Sequence, residues 1–326
     1  MNSTIIVTAA DSKFFELVQG TILSIREKPQ GHSVDIGFLD VGCTPEQLQW
    51  IGQYVDHIVE PDWNYDIPDI PDIDRQPKYL KALVCRPFLP EYFPGYEVYI
   101  WIDADAWVQD WSAIELLTLG ARYKNLAVVP ELLNTLFNPY PFSLQAFHLS
   151  EYIKYFGDVY NHLYIRPILN DGVFSGSNSG IHWVAWKNRL SQAISMSRDL
   201  SFSDQCSLNL AIYNDLGIDN VQILPLFCNW TVHSKLPLWD PKRKLWVEPW
   251  KPYIPLGILH ITYKAKDRKT HVAHTTDGFK VEASLWYPRS HSSPIRRYDY
   301  VSANQKKIYL DYNFPLMTAI DPGPHP

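Results

Sequence analysis

Val98 to Asp110 reads VYIWIDADAWVQD: a run of apolar β-formers, then two aspartates one residue apart. In a strand alternate side chains share a face, so Asp103 and Asp105 point the same way. Two carboxylates on one face repel unless a cation sits between them. An apolar strand that runs into such a pair fits a parallel α/β sheet, which gathers its ligands beyond the carboxyl ends of its strands.

The residues around it agree. TIIVTAA (4–10) is a β-rich run ending at Asp11, and a helical pattern follows from Phe14 to Arg26. SVDIGFLDV (33–41) reads as a second strand. TPEQLQWIGQYV then begins with Thr44 as N-cap, Pro45 at the first helical position and Gln47 at the capping-box position. This β-α-β-α order predicts a mostly parallel sheet under helices. PDWNYDIPDIPDIDRQP (61–77) reads as a surface loop, and a helix from Lys78 to Glu91 leads into the opening strand. Beyond it, NLAVVPEL (125–132) predicts a strand, and 133–172 is aromatic and irregular. SNSGIHWVAW (177–186) predicts a strand flowing into a helix. SDQCSLNLAIYND (203–215) reads as a helix with a capping-box-like start at Ser201–Asp204, and GILHITYKAKD (257–267) as a strand leaving into a loop.

Bulk properties narrow the function. The chain has 326 residues, 46% of them hydrophobic and 20% charged, as in an ordinary globular protein. A net charge of −6 argues against a nucleic-acid partner held through phosphates. The four cysteines show neither CxxC pairing nor zinc spacing, which predicts reduced thiols. MNSTIIVTAADSKFF lacks the basic start of a signal peptide, and no apolar run is long enough for a membrane span. A cytoplasmic protein is the expectation. The 12 tryptophans and 20 tyrosines suit a core, and a few suit stacking on a base or sugar ring.

Asp11 ends the first strand, Asp103 and Asp105 the fourth, and His260 lies in the last. Two carboxylates and an imidazole suit Mn²⁺ or Mg²⁺ with positions left open for a substrate. Singly each has an ordinary explanation, since D-x-D is common and a histidine in an apolar strand is usually a satisfied core residue. Together, and in this order, the motifs resemble the GT-A glycosyltransferases of family 8. The resemblance runs from Thr4 to Lys266 and implies a Rossmann-like sheet with helices on both faces.

It assigns roles residue by residue. Ala9-Ala10-Asp11 matches the turn whose acid meets the nucleotide base, and Phe14 the aromatic stacking on it. Arg86, in RPFLPEYF, matches an arginine that touches the donor sugar. Asp103-Ala104-Asp105 matches the D-x-D, Asn178-Ser179-Gly180 an N-x-G that opens a strand, and Asp204-Gln205 the D-Q helix start beneath the donor sugar. His260 matches the metal-binding histidine, with Lys266 six residues on as the phosphate lysine. The stretch HITYKAK lacks the Gly-Pro usual there, so Lys264 competes with Lys266.

The resemblance thus implies a metal-dependent retaining glycosyltransferase with a nucleotide-sugar donor, a UDP-sugar first, and an unknown acceptor. Residues 1–284 are the expected catalytic domain, with the nucleotide side about 1–130 and the acceptor side about 131–284; 285–326 is a wrapping extension. The rival readings are a nucleotide-sugar or carbohydrate binding protein without turnover, a nucleotidyltransferase of similar fold, and a metal-dependent phosphoesterase. VTAADSKFF lacks the glycine-rich phosphate loop of the second rival, and the third needs more clustered His and Asp.

Overall fold

In a computed structural model, which describes residues 3–65, 77–131, 142–158, 163, 165–288 and 295–297, Thr4–Ala10 forms β1. It pairs in parallel with β2 (Asp35–Asp40) on one side and with β4 (Val98–Ile102) on the other, while β3 (His57–Val59) extends β2. After the short β5 (Ala106–Val108), β6 (Leu126–Pro130), β7 (Leu169–Ser177) and β8 (Gln222–Ile223) complete a seven-stranded sheet of order β3-β2-β1-β4-β7-β6-β8. Only β7 runs antiparallel to its neighbours. The expected α/β class is borne out.

All of β4 is buried because both of its faces are covered. On one face Ile6, Ile36, Ile100 and Val173 pack on α1 (Phe15–Arg26), α2 (Pro45–Ile51) and α5 (Ser112–Lys124). On the other, Val7, Trp101 and Phe174 pack on α3 (Leu80–Val84), α4 (Leu89–Tyr92), α7 (His182–Met196) and α8 (Ser203–Leu210). Each buried aliphatic or aromatic side chain contributes roughly 1.5–3 kcal/mol. Helix α6 (Phe142–Phe156) joins a smaller cluster beside α8. Among the described residues no helix is long and apolar enough to cross a membrane.

A second, three-stranded sheet sets the geometry that matters. Strand β12 (Ile258–His260) lies antiparallel to β5 and parallel to β9 (Trp230–Thr231), with His260 opposite Ala106. The tryptophan-rich segment is core: Trp230, Trp239 and Trp246 pack with Trp107 and Leu259, carried partly by the hairpin β10 (Leu238–Asp240) and β11 (Leu245–Val247). Strands β13 (His271–His274) and β14 (Lys280–Ala283) pair antiparallel, and β15 (Ile295–Arg297) adds to β14. Packed chain therefore continues past 284: Leu285 is fully buried and its carbonyl accepts the Trp107 indole N–H at 2.8 Å. Residues 289–294 and 298–326 of the expected extension lie outside the described residues, as do 66–76 of the acidic loop and 132–141.

Three local expectations change. The helix expected from Lys78 to Glu91 is two short helices around a 3-10 turn at Arg86–Phe88, because Pro87 and Pro90 cannot donate backbone hydrogen bonds. The strand expected to start at Ser177 instead ends there, and α7 follows a turn. Helix α8 is preceded at its N-cap by Phe202, left-handed at φ 61° with no side-chain cap, so the Ser201–Asp204 capping box does not form. The capping box at Thr44 and Gln47 is present as expected.

Candidate active site

The chain turns sharply after β4. The Asp103 N–H donates to the Gly172 carbonyl of β7 at 2.8 Å, and the Ala106 N–H donates back to the Asp103 carbonyl at 3.0 Å. The Asp105 carbonyl accepts the Ile261 N–H at 2.8 Å, which locks β12 beside the turn. His260 Nε2 thereby lies 3.1 Å from Asp105 Oδ1 and 3.7 Å from Asp103 Oδ2. One ligand atom each from Asp103, Asp105 and His260 lies within 4.8 Å of the others. His260 Nδ1 faces Asn229 Oδ1 at 3.0 Å, which orients the ring.

The backbone makes room for this cluster. A Cβ on Gly172 would stand 2.5 Å from both Asp103 Oδ2 and His260 Cε1. Only glycine lets β7 pass so close, and the donor set behind it, two carboxylates and an imidazole, fits a divalent ion of the Mn²⁺ or Mg²⁺ kind. Burial raises the Asp103 pKa, with Arg86 and His260 opposing. Burial would raise Asp105 too, but His260 and Lys266 beside it hold it below the usual carboxylate range. Burial would lower His260, yet Asp105 and Asp103 raise it.

Two groups flank the centre. Lys266 Nζ bonds Asp105 Oδ2 at 2.8 Å and stands 4.9 Å from the centre of the Phe14 ring. That ring is positioned by Asp11, whose Oδ1 accepts the Lys13 and Phe14 N–H groups at 3.0 and 3.1 Å. Of the two competing lysines, Lys266 reaches the aspartates, while Lys264 is exposed on the same 3-10 turn. Ala9 is buried at the end of β1, and the Ala104 carbonyl accepts the Thr21 hydroxyl at 2.9 Å, which fixes the D-x-D backbone.

On the other flank, buried Arg86 forms ion pairs with three carboxylates. Its Nη1 lies 2.6 Å from Asp171 Oδ2 and 2.7 Å from Asp204 Oδ2, and its Nη2 lies 2.7 Å from Asp103 Oδ1. The guanidinium also lies 5.1 Å from the centre of the Trp101 ring, whose N–H donates to Asp103 at 2.7 Å. Burial would lower the Arg86 pKa, but the three acids hold it well above its ordinary value. Burial and the nearby Asp171 raise Asp204 despite Arg86. Gln205 accepts from Asn170 at 3.3 Å and donates to Glu131 at 3.3 Å; Asn170 accepts from Asn229 at 2.8 Å. A chain of amides thus connects His260 to Gln205.

Asn178 is not in this site. Ser177 pairs with Val98, so Asn178 lies beyond the amino end of β4, roughly 17 Å from Asp103 along a strand rising 3.3 Å per residue. The N-x-G that opens a strand at the site is Asn170-Asp171-Gly172. Sequence reading passed over it, along with Glu131 and Asn229; the pattern N-D-G was the available signal. Asp11, Phe14, Arg86, Asp103, Asp105, Asp204, Gln205, His260 and Lys266 do fall into one connected region.

No protein-family model matches the chain, and no curated protein is found similar to it in sequence. Among solved structures it is similar to the galactosyltransferase LgtC in complex with donor and acceptor sugar analogues, with 16% identity, TM-score 0.48, and coverage of 78% of this chain and 86% of that one. The glycosyltransferase GlyE of Streptococcus pneumoniae TIGR4 gives 16% identity and TM-score 0.45, covering 81% of this chain and 55% of that one. Core-mannan synthase A of Aspergillus fumigatus in its Mn/GDP form gives 10% identity and TM-score 0.41 over 65% and 70%. It is the ordered motifs of the sequence, set on a mostly parallel sheet, that resemble the GT-A glycosyltransferases of family 8.

Proposed function

We propose that the chain is a metal-dependent, retaining glycosyltransferase that takes a sugar from a nucleoside diphosphate, uridine being the first choice, and passes it to an acceptor not yet identified. The observation that carries this reading is the meeting of Asp103, Asp105 and His260 with Lys266 and the Phe14 ring in one cluster. Asp103, Asp105 and His260 would hold the ion, which supplies Lewis-acid neutralisation of charge on a leaving diphosphate. Lys266 adds a second positive group on the nucleotide side, and Phe14 offers a stacking face. Asp11 Oδ2 remains to accept an imide N–H, which uracil offers and cytosine lacks.

With Mn²⁺ present, UDP at 100 times its Kd is expected to stabilise the fold by about 2.7 kcal/mol. For a chain of this size that is a rise in melting temperature of about 5 °C, with smaller rises for CDP and GDP. Thermal-shift measurement reads this directly. A larger rise with GDP would refute the uracil assignment, and no rise with any nucleotide would remove the diphosphate reading.

Asp204 would hold donor hydroxyls and Gln205 would lie near the anomeric carbon, fixed by Asn170 and Glu131. Retention is then expected, so an α-linked donor yields an α-linked product in proton NMR. A β-linked product would transfer the leading role to Glu131, the carboxylate hydrogen-bonded to Gln205 and so the base an inverting route would need. If donor binds with metal and is neither transferred nor hydrolysed, the chain is a binding protein.

A further inference from the structure

Arg86 is already spent on its own chain. Its Nη1 hydrogen-bonds Asp204 Oδ2 at 2.7 Å and lies in ion-pair contact 2.6 Å from Asp171 Oδ2, and its Nη2 hydrogen-bonds Asp103 Oδ1 at 2.7 Å. Its buried Nε has no hydrogen-bond partner among the described residues. All three side chains at the Nη1 end are enclosed: Arg86 is 5% exposed, Asp171 5% and Asp204 2%. A carboxylate in a ligand is best recognised by the open fork of a guanidinium, two parallel N–H groups side by side. Here that fork is closed by protein carboxylates.

Asp171 and Asp204, which share a side-chain hydrogen bond, present carboxyl oxygens to this flank. These take hydrogen bonds from hydroxyl groups and repel a second carboxylate, and enclosure from water strengthens both effects. Lys266 lies on the far side of Asp105, against the Phe14 ring, so it does not serve this flank. An uncharged residue at 171 would remove one of the negative charges that neutralise Arg86 and so leave the guanidinium more attractive to a ligand carboxylate. Resting on the donor-site reading above, we infer that Asp171 makes this site select neutral, hydroxyl-rich donor sugars and reject sugars that carry a carboxylate, the uronates.

The experiment measures binding of UDP, UDP-glucose, UDP-galactose, UDP-glucuronate and UDP-galacturonate to the full chain with Mn²⁺, by calorimetry. Affinities are referred to UDP within each protein, so that nucleotide and metal contacts cancel. In the unmodified chain the better hexose is expected to bind about 100-fold more tightly than its uronate, since like charges brought together cost several kcal/mol. In Asp171→Asn the ratio should shrink to about tenfold or less. Asp171→Ser, which leaves more room, should shrink it likewise; circular dichroism confirms that each variant is folded. Uronates binding as well as hexoses in the unmodified chain would overturn the inference while the glycosyltransferase reading stands. An unchanged ratio in both folded variants would overturn the role of Asp171. Loss of UDP binding in the unmodified chain would overturn the donor-site reading and this inference with it.

Discussion

Asp105→Asn is expected to lower transfer by about 1,000-fold while the chain stays folded, and excess chelator should do the same to the unmodified protein. Asparagine keeps the size of the side chain: its carbonyl oxygen can accept from Lys266 and its NH2 can donate to His260 Nε2, in place of the two carboxylate oxygens that stand 2.8 and 3.1 Å from those groups. What it loses is the negative charge that draws in a divalent ion. Such an ion supplies several kcal/mol to a transition state that develops charge, and each 1.36 kcal/mol is tenfold in rate. Steady-state rates with and without Mn²⁺, beside a melting curve for each protein, check it. Full activity in excess chelator would end the metal assignment.

Gly172→Ala should be nearly as severe, by a different route. The added methyl meets Asp103 Oδ2 and His260 Cε1 at 2.5 Å, closer than real Cβ contacts. Neither neighbour is a loose end, since Arg86 and Trp101 hold Asp103 and Asn229 holds His260. Overpacking of this kind costs about 1–3 kcal/mol. The more telling loss is in metal affinity, expected to fall about 100-fold because both ligands are displaced by their support. Titration of Mn²⁺ by calorimetry or electron paramagnetic resonance reads it without reference to turnover. Unchanged Mn²⁺ affinity would mean that the ion binds elsewhere.

Features with a strong local cause were legible in the sequence. The five residues before Asp103 could only be a strand, Thr44 and Gln47 could only be a helix start, and the acids at strand ends marked the ligand side. The strand LNDGVFSGS was hidden because its pattern is interrupted by glycines and polar residues. Those glycines answer to distant neighbours: Gly172 makes way for Asp103 and His260, and Gly176 for His182 and Trp183. Nothing within nine consecutive residues reveals such contacts. That blindness also moved the N-x-G to Asn178 and concealed Asp171. Glu131 and Asn229 carried no local signal, since an amide that steadies an imidazole is defined only by the fold. The tryptophans between 230 and 250 had no role legible in the sequence, and Trp230, Trp239 and Trp246 prove to be part of a third core.

The run Leu285–Tyr287 reaches back across the whole molecule. The Leu285 carbonyl accepts the Trp107 indole N–H, the Tyr287 hydroxyl bonds Glu27 just past α1, and the Tyr287 Cβ stands 2.9 Å from where a side chain on residue 20 would begin. On the ribosome these contacts come late. The parallel half of the sheet can form as it emerges, but α1 and the turn carrying Asp105 gain their outer cover only after residue 287 has left the exit tunnel, tens of seconds into synthesis at 5–20 residues per second. The face that carries Asp105 is thus completed in the order opposite to its reading, with the first helix covered by Trp286 and Tyr287.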